Sequence, residues 1–206
     1  MKVFKIPQDT IFRLSHYLRA LNYFKNKKEI VSSKEIADFL NISPHQLRKD
    51  LSYFGQFGKK GVGYNCSKLI DKIKEILGLD RVWNACIIGF GNLGKALSFY
   101  RGFRDQGIFI KFAFDIDKNK INKKYKGLEV YHIDKIEEII KKNDIKIAII
   151  TVPEDEAQKV LDILYNSGIK AILNFAPKRL LAKDDIILKD VDLSLYFSYL
   201  TYSIKG

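Results

Sequence analysis

No stretch constrains this chain more than Ala85-Cys86-Ile87-Ile88-Gly89-Phe90-Gly91-Asn92-Leu93-Gly94. A short apolar run ends in Gly-x-Gly-x-x-Gly, and a helical pattern follows at once through Lys95, Ala96, Leu97 and Phe99. That order reads as a buried strand, a tight turn and a helix N-terminus. The first glycine permits the turn, the second lets backbone approach a pyrophosphate, and the third lets helix pack on strand. Free amide groups and the positive end of the helix would then face the phosphates. The candidate cofactor-binding residues of the turn are Gly89, Phe90, Gly91, Asn92, Leu93 and Gly94.

Strand and helix patterns alternate after Asn84. The reading gives strands at 85–89, 109–115, 128–132, 146–152, 169–174 and 186–190, with helices at about 92–104 and 154–167 and another rich in Ile136, Ile139 and Ile140. Alternation of this kind predicts an α/β fold, a parallel sheet with helices on both faces. Ligands of such sheets lie at the carboxyl ends of the strands. Asp115, Val152, Pro153, Asn174, Phe175, Ala176 and Pro177 join the glycine turn there as candidate cofactor-binding residues. Asp115 lies 26 residues after Gly89, close to the roughly 20 expected of the acid that holds the ribose hydroxyls. Its charge, with Asp117 nearby, predicts a preference for NAD(H) over a 2′-phosphorylated cofactor.

Residues 1–80 read as a separate domain. Ile11, Leu14, Tyr17, Leu18, Leu21 and Phe24 follow Pro7 at helical spacing. Ser32-x-x-Glu35 forms a capping box for a second helix, and Ser43 with Pro44 starts a third. Two short helices so joined, with His45, Gln46, Arg48 and Lys49 around a Leu47/Leu51 anchor, match a helix-turn-helix whose second helix enters the major groove. Gln and Arg suit paired contacts with base edges. The segment from Gly55 to Tyr64, with four glycines and Lys59-Lys60, reads as a basic wing. A fourth helix runs from about Ser67 to Leu77, stopped by Gly78. Candidate DNA-binding residues are Ser43, His45, Gln46, Arg48, Lys49, Ser52, Tyr53, Lys59 and Lys60.

Charge supports this division. The net charge is +12; residues 1–84 hold 16 basic and 8 acidic residues, the remainder 20 and 16. A basic first module predicts a polyanionic partner. No apolar run approaches the roughly 18 residues of a membrane span, and Met1-Lys2-Val3-Phe4-Lys5-Ile6-Pro7 lacks the pattern of a signal peptide. These predict a cytoplasmic protein with no membrane partner. Cys66 and Cys86 read as packing residues. His16, His45 and His132 lack metal-ligand spacing, so no metal is expected. His132 has no evident partner for proton transfer, and too few residues follow Asn174 to build a substrate domain. The tail from Val191 to Tyr202, apolar over most of its circumference, predicts a buried helix over about 192–203 that packs on its own sheet or, as paired half-sites favour, inserts into a twofold partner.

The order of these pieces resembles the Rex family of redox-sensing transcriptional repressors over nearly the whole chain. The residues that carry the resemblance are Tyr17-Leu18-Arg19, the block from Arg48 to Gly55, Gly61-Val62-Gly63-Tyr64, the glycine turn, Val152-Pro153, Ala157-Gln158 and Asn174-Phe175-Ala176-Pro177. Phe90 departs from the family, where a smaller residue is common. The resemblance implies an N-terminal winged helix-turn-helix domain (1–80) and a Rossmann-type domain (81–206) ending in a dimer-swapped helix. It implies a homodimer that binds double-stranded, palindromic operator DNA with NAD+ or no cofactor and is released by NADH. Carried over by position, Arg48 and Lys49 lie on the recognition helix and Lys60 on the wing. Arg19, Tyr100 and Asp192 match the switch residues, Tyr100 and Asp192 sensing the nicotinamide and Arg19 coupling it to the DNA-binding domain. Two alternatives stay open: an NAD-dependent dehydrogenase with an N-terminal oligomerisation module, and a DNA-binding protein whose nucleotide fold serves only dimerisation.

Overall fold

The computed structural model describes residues 6–59, 61–183 and 185–205. Two compact units divide at Arg81 and Val82. The wing-tip Lys60 lies outside the described residues.

In the first unit, α1 (Gln8–Lys25) starts directly after Pro7. Short strands β1 (Ile30–Val31) and β2 (Tyr64–Asn65) pair antiparallel. Between them stand α2 (Ser33–Leu40) and α3 (Pro44–Ser52), and α4 (Cys66–Leu77) closes the unit. Capping fixes these starts. Ser32 and Glu35 form the expected reciprocal box, Ser43 accepts from the Gln46 N–H, and Asn65 accepts from the Lys68 N–H. Leu14, Tyr17 and Leu21 of α1, Ile36 of α2, Leu47 and Leu51 of α3, and Ile70 and Ile73 of α4 form one core. The wing is smaller than a full hairpin among the described residues: Lys59 and Gly63 exchange backbone hydrogen bonds of 3.2 and 3.1 Å.

The second unit carries a seven-stranded sheet in the order β5-β6-β4-β3-β7-β8-β9. The strands are β3 (Trp83–Ile88), β4 (Ile108–Asp115), β5 (Lys124–Tyr125), β6 (Leu128–His132), β7 (Ile147–Ile150), β8 (Ala171–Asn174) and β9 (Ile187–Asp190). All neighbours run parallel except β5, which hairpins onto β6. Both faces are covered. Cys86 and Ile88 point to one core with α7 (Ile136–Lys142) and α8 (Glu154–Asn166), whereas Ile87 points to the other with Leu97, Phe99 and Phe103. Such double burial explains why these strands read as continuous apolar runs.

Two expectations need correction. The helix expected over 92–104 is broken into α5 (Asn92–Ser98) and α6 (Arg101–Arg104). The Ser98 hydroxyl donates back to the Gly94 carbonyl at 2.7 Å, a bond that competes with the helix ladder. The first strand begins two residues earlier than expected, because Trp83 and Asn84 pair with Ile108 and Phe109. The tail helix, α9 (Ser194–Lys205), buries none of its residues within this chain.

Candidate functional site

Strand order switches at β3, which has β4 on one side and β7 on the other, and a crevice opens at such a switch point. A cleft of about 560 Å³ lies there, lined by Gly89, Gly91, Leu93, Asp115, Ile116, Asp117, Lys120, Ile133, Thr151, Val152, Pro153, Glu156, Val160 and Phe175 among others. The three glycines of the turn answer to different demands. Gly89 has φ +92°, and a Cβ there would sit 2.7 Å from the Thr151 carbonyl oxygen. A Cβ on Gly94 would meet the Gly89 carbonyl oxygen at 2.0 Å. Gly91 faces open space, with nothing within 4 Å of its would-be Cβ. The outer pair closes the turn, and the middle glycine leaves room for a ligand against bare backbone at the start of α5. These residues fit a dinucleotide.

Thr151 braces the turn from below, donating to the carbonyls of Ile88 (3.0 Å) and Gly89 (2.7 Å). Phe90 does not enter the cleft. Its ring is buried and packs against Tyr125 with centroids 5.0 Å apart, which accounts for a large residue at this position. Its N–H donates to Asp115 Oδ2 at 2.8 Å. Asp115, only 9% exposed, also accepts from the Asp117 N–H at 2.8 Å and from Lys120 Nζ at 3.0 Å. Burial by itself would push this carboxyl up. Donation from the Asp117 N–H, the Lys120 ammonium and the Phe90 N–H outweighs burial and holds it below the ordinary carboxylate range. Lys120 also lies 3.5 Å from Asp117, so the acid end of the cleft is an ammonium-bridged pair. Lys120 did not stand among the expected site residues, because a lysine five positions past an acid carries no spacing signal.

A second groove of about 610 Å³ shares Leu93 and Phe175 with the first and is lined further by Pro177, Lys178, Arg179, Asp190, Asp192 and Ser194. Asn174 enters neither. It is fully buried, donates to the Ala176 and Lys178 carbonyls and to Asp190, and accepts from the Ala176 N–H. Its amide folds the 174–178 loop that brings Phe175 and Pro177 to the grooves. Asn92 is exposed at the first position of α5. Asp192 accepts from the hydroxyl and N–H of Ser194, which lower its pKa. Tyr100 is exposed and stands edge-on to Phe103, while Arg19 is exposed on α1 in the other unit. His132 caps the turn at Ile133–Lys135, accepting from the Asp134 N–H. Cys66 and Cys86 are buried free thiols, and burial pushes Cys86 up to about 12. Among the described residues no cluster of His, Cys, Asp or Glu could hold a metal, and no helix is long and apolar enough to cross a membrane.

In the first unit, His45, Arg48, Lys49 and Ser52 fall at helical spacing on the exposed side of α3, opposite buried Leu47 and Leu51. Ser43 is exposed at the cap, and Tyr53 is exposed just past the end of the helix. Arg48 donates to Ser33 Oγ at 3.0 Å. It borders a groove of about 750 Å³ with Ser52, Gly55, Lys59 and Gly61. Gln46 stands apart, since its amide turns inward and donates to Asp50 at 2.9 Å. Asp50, 1% exposed, was not foreseen as a site residue. It accepts also from Thr10 at 3.0 Å, from Arg13 at 2.6 and 2.8 Å, and from Tyr17 at 2.6 Å. Burial would raise this carboxyl, but donation from Arg13, Tyr17, Thr10 and Gln46 holds it low.

The family model for the CoA binding domain matches residues 80–178, and the model for a putative DNA-binding protein N-terminus matches residues 5–52. The chain is 48% identical to the redox-sensing transcriptional repressor Rex of Carboxydothermus hydrogenoformans, over 100% of this chain and 99% of that protein. It is 44% identical to the Rex repressor of Thermosipho africanus, over 98% and 97%. Among solved structures, RSP in complex with beta-NAD+ and operator DNA matches with a TM-score of 0.92 and 38% identity, over 97% of this chain and 92% of that one. RSP in complex with beta-NADH matches with a TM-score of 0.88 and 37% identity, over 97% and 94%.

Proposed function

The chain belongs to the Rex family of redox-sensing transcriptional repressors, and from that premise we propose that it binds operator DNA through α3 and the Lys59 turn, holds NAD(H) at the glycine turn, and leaves the DNA when NADH is bound. One observation carries the reading. A turn whose Gly91 opens onto a cleft and a basic exposed helix face share a chain that repressors match from end to end. RSP was solved with beta-NAD+ and operator DNA and also with beta-NADH, which supports both ligands here. The relatives are repressors rather than enzymes, which sets the dehydrogenase alternative aside.

A bound nicotinamide supplies the signal, since its oxidised ring is planar and cationic and its reduced ring is neutral. The chain's own residues do the rest. Gly89, Gly91 and Gly94 shape the phosphate seat, and Thr151 and Asp115 hold the turn in place through its carbonyls and the Phe90 N–H. Ile116, Ile133, Val152 and Val160 offer an apolar wall beside the Asp115–Lys120–Asp117 cluster, the seat proposed for the adenosine. Phe175 and Pro177 lead into the groove that holds Asp192. Tyr100 and Asp192 are the proposed sensors, and Arg19 is proposed to pass their state to the DNA-binding unit.

We infer a homodimer in which a second copy covers α9. Leu195, Tyr196, Phe197, Tyr199, Leu200, Tyr202 and Ile204 are 53–82% exposed, a contiguous apolar surface of the kind that marks an interface. A twofold repressor reads paired half-sites, so the operator is proposed to be palindromic. A repressor that reads NADH on DNA is proposed to work in the cytoplasm. Replacing Arg48 with alanine tests the reading face: operator affinity should fall by about 5- to 150-fold, the cost of one good base or charge contact, with NADH binding unchanged. Unchanged operator binding, or equal loss of both activities, would contradict it.

A further inference from the structure

The recognition helix α3 rests on two leucines, Leu47 and Leu51, one turn apart. Apolar contacts are non-directional, so two such anchors fix how close the helix sits and leave its roll and tilt loosely set. Base readout demands more, because side chains must meet donor and acceptor patterns in register. Beside the Arg48–Ser33 bond to α2, the side-chain hydrogen bonds that tie α3 to α1 converge on one atom group. Asp50 receives five hydrogen bonds: one from Thr10, two from Arg13 and one from Tyr17, all on α1, and one from Gln46 on α3 itself. Arg13 grips both carboxylate oxygens, the strong fork geometry. No side-chain nitrogen or oxygen among the described buried residues is left without a partner, so the network is complete.

A buried ion pair is a poor way to gain stability, since apolar residues of similar volume commonly do as well. Geometry is what such a network adds. We propose that Asp50 is the positioning residue of operator recognition: its carboxylate, held by Thr10, Arg13 and Tyr17, locks the roll and tilt of α3 on α1 so that His45, Arg48, Lys49 and Ser52 meet the groove in register. The inference rests on the reading that α3 enters the DNA groove. It also assigns Gln46 to the network instead of to a base edge.

The test separates positioning from folding. The probe is the duplex that the wild-type protein enriches from a random-sequence library, compared with a random duplex of equal length. Asp50→Asn keeps the volume and removes the charge, and Tyr17→Phe removes a single donor. Ile73→Val, in the same core but outside the network, serves as a packing control. NADH titration by fluorescence reports the intact second unit in every variant. Phosphate contacts act on any sequence. Asp50→Asn should therefore lower the ratio of enriched to random affinity by about tenfold or more, about the cost of a mismatched base pair. Its salt dependence on random DNA should stay unchanged. Tyr17→Phe should lower the ratio by a smaller factor, and Ile73→Val should lower the melting temperature with the ratio intact. A partly unfolded variant loses both DNAs alike, so Tyr17→Phe decides the matter should Asp50→Asn fail to fold. A wild-type ratio in both network variants overturns the proposal. If the wild-type protein enriches no sequence, the operator reading itself falls.

Discussion

Gly91 and Gly94 stand three residues apart in one turn under opposite constraints. A methyl on Gly94 would lie 2.0 Å from a backbone oxygen, whereas a methyl on Gly91 meets no protein atom within 4 Å. Gly94→Ala should therefore lower the melting temperature of the second unit and abolish NADH binding together. Gly91→Ala should melt like wild type and bind NADH at least tenfold more weakly, a loss of about 1.4 kcal/mol, because only the ligand would meet the methyl. Fluorescence titration beside a thermal melt checks both, and a Gly91→Ala protein with wild-type affinity would remove the phosphate seat from this turn. Glu35 allows a second test. The Lys28 ammonium, then the Ser32 N–H and hydroxyl, hold its carboxyl at about 2 against an ordinary 4.5. A carboxylate depressed on folding adds stability that is present above 4.5 and disappears as pH falls toward 2. The pair is exposed, so the amount is about 1 kcal/mol or less. Melts between pH 5 and 2 should show a shallower acid loss for Glu35→Gln than for wild type, and parallel curves would contradict the assignment.

At the scale of elements, what was legible in the sequence was local. The capping box at Ser32 and Glu35, the Ser43-Pro44 start of α3 and the glycine turn each lie within a few residues, and each forms as read. What was missed depends on distance or brevity. Asp50 meets Thr10 and Arg13 across 40 and 37 residues, and nothing in the block around it marks a buried charge. Strands β1, β2 and β5 have two residues each, too short for any period to show. The break between α5 and α6 lies at Phe99 and Tyr100, where no glycine or proline marks it in the sequence. The tail helix was legible as apolar, and its exposure within one chain follows from a surface that its own sheet does not cover. Charges placed there give the prediction at this scale. If the proposed homodimer forms through α9, Tyr199→Asp with Leu200→Asp should sediment as a monomer where wild type sediments as a dimer, leave the melt of the second unit intact and weaken operator binding. A dimer that persists would move the interface elsewhere.

Over the whole molecule, a net charge of +12 gives affinity for any duplex, and that term weakens with salt without distinguishing sequences. Regulation has to come from the cofactor. Shifting a two-state repressor from 1:99 to 99:1 requires about 5.5 kcal/mol of differential affinity between its DNA-bound and released forms. A ligand that binds both forms equally, however tightly, shifts nothing. On the proposed binding mode, the glycine turn and the acid cluster would face the phosphates and adenosine, which do not change with redox state, and would supply affinity without discrimination. Discrimination would then fall to the proposed sensors, Tyr100 and Asp192, the latter in the groove with Phe175 and Pro177. The most direct test titrates the enriched operator duplex and the wild-type protein with NADH and, separately, with NAD+ at one salt concentration. NADH should release the DNA at concentrations where NAD+ leaves it bound. Equal release by the two cofactors, or none by either, would contradict the account.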